Sequence, residues 1–295
     1  IRGHALDFEG WRQSGCEGWG YADVLPYFKR MENYSGGNDE YRGGEGPLNV
    51  YRPSPKNPIY QAFLDAGQEA GYPLTHDICG FCQEGFGVLD MSIHNGQRNS
   101  TATAYLDPVK SRENLEIITN AQVQKILLDD ITATGVQYET ANGEVIKATA
   151  HREVVLSAGA VGSPQLLMLS GIGPASHLKK LDIPIVIDSP GVGQNLMDHP
   201  DFVLKYRCLK PVSIWPQTRL WGRARAGIRW LLRNDGICAS NQFEVVACLR
   251  STTGVEYPDI QLTISPVAVD DETWKPLSEH AFQIHVGLMR THSRG

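Results

Sequence analysis

No Lys/Arg cluster stands out in this chain of 295 residues, where 27 Lys and Arg face 33 Asp and Glu for a formal net charge of −6. Phosphate backbones are bound through concentrated positive charge, so no nucleic-acid partner is expected. Cysteine is sparse: Cys16, Cys79, Cys82, Cys208, Cys238 and Cys248 are too few and too scattered for a disulfide scaffold, which makes reduced and intracellular the default reading. The opening Ile1-Arg2-Gly3-His4 has neither an initiator Met nor a charged-then-apolar leader, so position 1 is not expected to be the natural start. Long helices and coiled coils are excluded by 30 Gly and 17 Pro placed without a period. What is present, 41% hydrophobic against 20% charged residues, is an ordinary globular composition. Only Val154 to Ser176 is uncharged over a bilayer-crossing length, and its Gly, Ser and Pro divide it into a β-branched run, a small-residue turn and a Leu-rich helix.

Aromatic spacing between Asp7 and Met31 predicts two short amphipathic helices broken at Gly18 and Gly20. Residues 35 to 58 read as a connection around one strand-like run, Pro47 to Tyr51, and Pro58 to Gly71 as a helix. Strands are expected at Leu115–Thr119, Val123–Leu128, Thr134–Tyr138 and Val145–Ala148, the run forming an antiparallel meander. Glu153-Val154-Val155-Leu156 has the continuous apolar character of a strand covered on both faces. It feeds a turn from Ser157 to Gly162 and then a helix with Ser163 as N-cap, Pro164 at its first position and Gly171 as its stop. A strand delivered into a helix N-terminus is the geometry of an anion-binding α/β switch point. A second helix, Ala175–Leu181, and a strand, Ile183–Ile187, follow. Beyond His199, strands near 203–206, 244–249, 260–264 and 282–288, with a Trp-rich helix at 223–233, predict a largely antiparallel second domain.

The chemical motifs are sparse. Gly171-Ile172-Gly173 and Gly191-Val192-Gly193 lack the third glycine of a dinucleotide fingerprint and follow the wrong elements. Cys79-Gly-Phe-Cys82 has zinc-half-site spacing without a second half, so incidental thiols and no metal site are expected. No Gly-x-Ser-x-Gly surrounds Ser157, Ser163 or Ser170, which removes the best support for a hydrolase. Asp198-His199 reads either as a base with its orienting carboxylate or as a loop anchor. Glu244, a carboxylate in a β-prone run, is either solvent-facing or the partner of a cation. Trp215, Trp221, Trp230 and Trp274 in the same half of the chain leave an aromatic cage for an organic cation open.

Two long segments carry a resemblance. Gly159-Ala160-Val161-Gly162-Ser163-Pro164-Gln165-Leu166-Leu167-Met168-Leu169-Ser170-Gly171-Ile172-Gly173 resembles the second signature of the glucose–methanol–choline (GMC) flavoprotein oxidoreductases, and Gly191 to His199 resembles the segment after it. Ile1 to Asp7, Gln83 to Gly87, Ala239 to Glu244 and His285 to Arg290 are similar to the choline-oxidising branch of that family, so the likeness runs the length of the chain.

The resemblance implies FAD as cofactor and oxidation of a primary alcohol by hydride transfer to flavin N5. The expected reaction is choline to betaine aldehyde, toward glycine betaine, with an uncharged aliphatic alcohol or a non-catalytic fragment as alternatives. It implies an α/β fold with an α+β part: a remnant of a Rossmann-like FAD-binding domain plus an antiparallel-sheet substrate domain. Residues 1–44 would be a helical FAD-covering segment, 45–114 a substrate-domain segment and connection, 115–199 the central FAD-binding domain, and 200–295 an incomplete substrate domain. Val123 would meet the adenine end through its main chain, Ala158 and Gly159 would lie against the cofactor with a slot beside them, and Glu244 would bind the trimethylammonium group. Family members begin with a Gly-fingerprint βαβ unit and end with an active-site His; neither is in this sequence. The chain thus reads as an internal fragment with no catalytic residue of its own, inactive alone. Peripheral inner-membrane association is implied by the family likeness alone, and electron acceptor and oligomeric state are not implied at all.

Overall fold

Capping chemistry sets the first elements of the computed structural model, which describes residues 1–295. His4 accepts from the Leu6 N–H while Asp7 returns a carboxylate to the His4 N–H, a reciprocal cap that starts α1 (Ala5–Gln13). Asp23 does the same for the N–H of Gly20 at the start of α2 (Tyr21–Met31). The two helices close around Phe8, whose ring meets Trp11, Tyr21 and Phe28, so the predicted aromatic stripe is packing. Strand β1 (Glu32–Tyr34) then runs parallel to β2 (Leu48–Val50). In α3 (Pro58–Glu69) Asn57 caps the Ile59 N–H and Pro58 takes the first position, where it loses no hydrogen bond. β3 (Gly85–Val88) and a hairpin of β4 (Ile93–His94) and β5 (Gln97–Arg98) complete this stretch.

The chain divides into two units, Ile1–Ser111 with His199–Arg290, and Arg112–Asp198 with Thr291–Gly295. The second contains the expected meander, β6 (Ala121–Asp129), β7 (Thr132–Thr140) and β8 (Val145–Thr149). A bulge leaves Gln124 without an opposite residue, and its side chain instead bridges Glu139 and Gln137. Four expectations fail, wholly or in part, in this unit. Leu115–Thr119 and Glu153–Leu156 form no strand, because a strand exists only with a ladder partner and the chain supplies none to either run. Helix α4 (Gly159–Leu169) begins four residues before Ser163, so Pro164 lies inside it. Ser163 still serves the helix start, accepting the Ala158 N–H at 3.0 Å from within the coil. The predicted strand Ile183–Ile187 contracts to a two-residue parallel pair, β9 (Ile172–Gly173) with β10 (Ile187–Asp188), flanking α5 (Ala175–Lys180). Ser170 joins α4 to the meander, taking the Ile126 N–H and donating to the Leu166 carbonyl.

The rest of the first unit is β11 (Asp201–Arg207), α6 (Trp215–Thr218), α7 (Leu220–Arg233), β12 (Val245–Leu249), β13 (Ile260–Ser265) and β14 (Ala281–Leu288). One five-stranded antiparallel sheet results, in the order β11-β14-β13-β12-β3. Its side chains alternate by face. Val245, Ala247, Leu262, Ile264, Phe282 and Ile284 pack with Ile59 and Phe63 of α3, while Val246 and Cys248 on the other face meet Ile78 and Cys79. No helix in the structure is long and apolar enough to cross a membrane.

Candidate active site

The sheet face opposite α3 carries polar side chains where β13 and β14 alternate: Gln261 and Thr263 on one strand, Gln283 and His285 on the next. Gln261, Thr263 and His285, with His199, Asp201, Asn241 and Phe243, border a cavity of about 380 Å³. Its chemistry is fixed by a chain of hydrogen bonds. The Val269 N–H donates to Gln283 Oε1, which turns the Gln283 amide nitrogen toward His285 Nε2 at 2.8 Å. Nε2 therefore accepts, and the ring proton sits on Nδ1, donated to Asp201 Oδ2 at 2.6 Å. Phe243 closes edge-on over the same ring at 5.5 Å. Both imidazole nitrogens are engaged, so His285 is held as a fixed wall, and the cavity offers amide and hydroxyl groups to a small polar molecule.

Glu244 stands one residue before β12, half-buried. Its carboxylate accepts from Ser240 Oγ at 2.7 Å, and its carbonyl takes the Leu89 N–H. No Lys, Arg or His forms an ion pair with it. Burial, with the Glu244 charge second, pushes the Tyr60 phenol well above its usual range, so the hydroxyl stays protonated and donates to the Gln242 carbonyl at 2.9 Å. The four tryptophans form no cage. Trp215 meets His280 and Arg219, Trp230 donates its indole N–H to Gly96, and Trp221 and Trp274 lie on the surface.

In the second unit, Ala158 and Gly159 open α4 and are exposed. Gly159 takes φ +84°, and a Cβ there would meet no atom within 4 Å. Val155 and Val161 beside them are also exposed. The expected slot is thus not formed within this chain: the corner faces solvent, because the run before it has no strand partner. Val123 lies on β6, next to a hollow of about 390 Å³ bordered by Asn120, Gln122, Glu139 and Thr140. Cys79 is buried and Cys82 exposed, and no group of His, Cys, Asp or Glu in the structure has the makings of a metal site.

The sequence profile of the GMC oxidoreductases matches residues 1–201. The chain belongs to the GMC oxidoreductases. It is 48% identical over 295 residues to the oxygen-dependent choline dehydrogenase of Brucella suis biovar 1, a match covering 100% of this chain and 53% of that protein. The chain therefore spans about half the length of the curated relatives it matches. Among solved structures, pyridoxine 4-oxidase from Mesorbium loti superposes with a TM-score of 0.83 at 28% identity, over 100% of this chain and 54% of that one. Formate oxidase superposes with a TM-score of 0.88 at 24% identity over 99% and 57%, a likeness of fold. The mixed fold with its antiparallel sheet is that of the family.

Asp201, Asn241, Gln261, Thr263 and the role of His285 were missed from sequence. The signal was available: Ile260-Gln261-Leu262-Thr263-Ile264 and Phe282-Gln283-Ile284-His285-Val286 place a polar residue at every second position of otherwise apolar strands, the mark of a face that meets something other than a core.

Proposed function

We propose that this chain is part of an FAD-dependent GMC oxidoreductase that oxidises choline to betaine aldehyde, on the route to glycine betaine. FAD, when bound, supplies the hydride acceptor. The main chain at Ala158 and Gly159 would give it one wall: small side chains, an open approach and a helix N-terminus directed outward fit the close passage of a dinucleotide. Val123 would face the adenine end through its backbone.

The observation that carries the substrate is Glu244. A half-buried carboxylate with a hydroxyl donor but no cationic partner retains an unmet preference for positive charge. A trimethylammonium group offers that charge without hydrogen-bond donors of its own, so attraction rather than directed bonding would hold it. In the complete enzyme, Glu244→Gln is expected to raise KM for choline by about tenfold or more while leaving KM for its uncharged tert-butyl isostere within about twofold. Equal losses on both substrates refute the assignment. The amide and hydroxyl groups that Asn241, Gln261 and Thr263 add to the cavity beside Asp201 support, as a second reading, an uncharged primary alcohol, and the same pair of substrates separates the two.

A further inference from the structure

Glu244 has a hydroxyl donor and no ion pair, so its place depends on the loop that carries it. The segment Ser240 to Glu244 leads from a single 3-10 turn, Ile237–Ala239, into β12. In its middle Gln242 takes φ +64°, a left-handed conformation that a residue with a Cβ seldom adopts unaided. Three hydrogen bonds hold it there. Its N–H donates to Ser240 Oγ at 3.1 Å, its carbonyl accepts the Tyr60 hydroxyl at 2.9 Å, and its side-chain amide donates to the Ile237 carbonyl at 2.9 Å. Tyr60, 2% exposed on α3, belongs to the core beneath the sheet, so the loop is moored to a fixed point.

That mooring aims one proton. A serine hydroxyl has a single hydrogen to give, and because Ser240 Oγ already accepts the Gln242 N–H, its own hydrogen goes to Glu244 Oε1 at 2.7 Å. The rival acceptor, Met91 Sδ, stands farther off at 3.9 Å and is a thioether, weak by nature. The bond to Ser240 is the one side-chain hydrogen bond that Glu244 makes. It engages one carboxylate oxygen and leaves the other open. A hydrogen bond to a charged acceptor is among the stronger kinds, and it stops the carboxylate swinging about its side-chain torsions. A trimethylammonium group cannot do this for itself, because it has no N–H or O–H with which to orient its partner; the carboxylate that meets it has to be oriented beforehand.

We propose that Ser240 is a positioning residue of the cation site: its hydroxyl, aimed by the Gln242 N–H, fixes the Glu244 carboxylate and so sets selectivity for a quaternary ammonium over an uncharged alcohol. This rests on Glu244 as the seat of the positive charge. In the complete enzyme Ser240→Ala is expected to raise KM for choline about three- to tenfold. The inhibition constant of tetramethylammonium, which has no hydroxyl to oxidise, should rise by a similar factor, while KM for the tert-butyl isostere and kcat change by less than about twofold. Ser240→Thr, which returns the hydroxyl, should restore choline binding. Made in the Glu244→Gln background, Ser240→Ala should add less than about twofold, because it acts through the carboxylate alone. Should the alanine variant fold poorly, Ser240→Cys, which fills the same space with a weak donor, carries the test. Equal effects on choline and its isostere, a loss confined to kcat, failure of the threonine variant to restore binding, or a full effect in the Glu244→Gln background would each overturn the proposal while leaving Glu244 in its role. If Glu244→Gln itself does not separate the two substrates, the reading of Glu244 falls and the role of Ser240 with it.

Discussion

Removing Arg42 from the complete enzyme tests the electrostatic ledger of the first unit most sharply. Its side chain is 1% exposed, with Nη2 2.7 Å from Asp90 Oδ2 and 3.3 Å from Glu32 Oε1, and Nε 3.6 Å from Asp77 Oδ2. The Tyr34 ring lies beneath it at 4.0 Å. Arg2 pairs with Glu32, and Arg52 with Asp77 and Asp90, so three arginines balance three carboxylates. Arg42→Met keeps most of the volume and leaves one negative charge in excess beside Glu32 and Asp90, whose side chains are 7% and 8% exposed. Breaking a buried pair by deleting one partner costs about 3 to 5 kcal/mol. The cost should depend on pH. Burial already pushes the Glu32 carboxyl up, against the pull of Arg42 and Arg2, and losing Arg42 removes part of that pull. A carboxyl with a raised folded-state pKa favours the folded protein below its unfolded value of 4.5, and that contribution is lost as pH rises through the folded value. The deficit of the variant in denaturant unfolding should therefore be larger at neutral pH than near pH 5, and adding Glu32→Gln should recover part of it. A deficit below about 1 kcal/mol, or one indifferent to pH, would refute the reasoning.

Two further predictions concern packing and thiols. Gly67→Ala should destabilise by about 1 to 3 kcal/mol in denaturant unfolding, because its Cβ would sit 2.6 Å from the Phe86 ring held between Phe63 and Tyr72; a gain in stability, as helix propensity alone would give, would mean the ring moves freely. In a native thiol titration Cys16, Cys82 and Cys238, all exposed, should react first, and Cys248, buried and pushed up to about 12 by its burial, should react only on unfolding. Since the unfolded Cys248 thiol ionises near 9.0, it should make stability fall above that pH by up to about 1.4 kcal/mol per unit, and Cys248→Ala should remove this share of the slope, leaving what Cys208, Tyr34 and Tyr60 contribute.

Legibility from sequence followed the range of the physics involved. Helix α3 is announced by the spacing from Pro58 and the stop at Gly71, both local, and the structure uses them so, adding Asn57 as its cap. The meander is equally local, with Asn142-Gly143 turning β7 into β8. Strand β3 carried no such signal: Gly85-Phe86-Gly87 is a strand because Val246 and Ala247 of β12, far along the chain, offer a ladder. The pairing of His285 with Asp201 joins residues 84 positions apart and depends on the register of β11 with β14. Glu244 was legible as an unusual carboxylate, but the tryptophan cage was not refuted until the partners of each ring were known.

The failures in the second unit share one cause. Ile117, Ile118 and Val155 are exposed in runs whose β-branched composition suits the interior of a sheet, not a surface. Ser157, Ala158 and Gly159 continue the second run without a break, so whatever fixes Glu153–Leu156 also fixes the corner that opens α4. A strand laid against Glu153–Leu156 would cover Val155 and, by holding the chain straight into the turn, bring the open backbone at Gly159 against anything bound at the end of that sheet. The unpaired run and the open corner have one origin, because in an α/β sheet the ligand pocket lies at the strand ends and cannot form before the strands have paired.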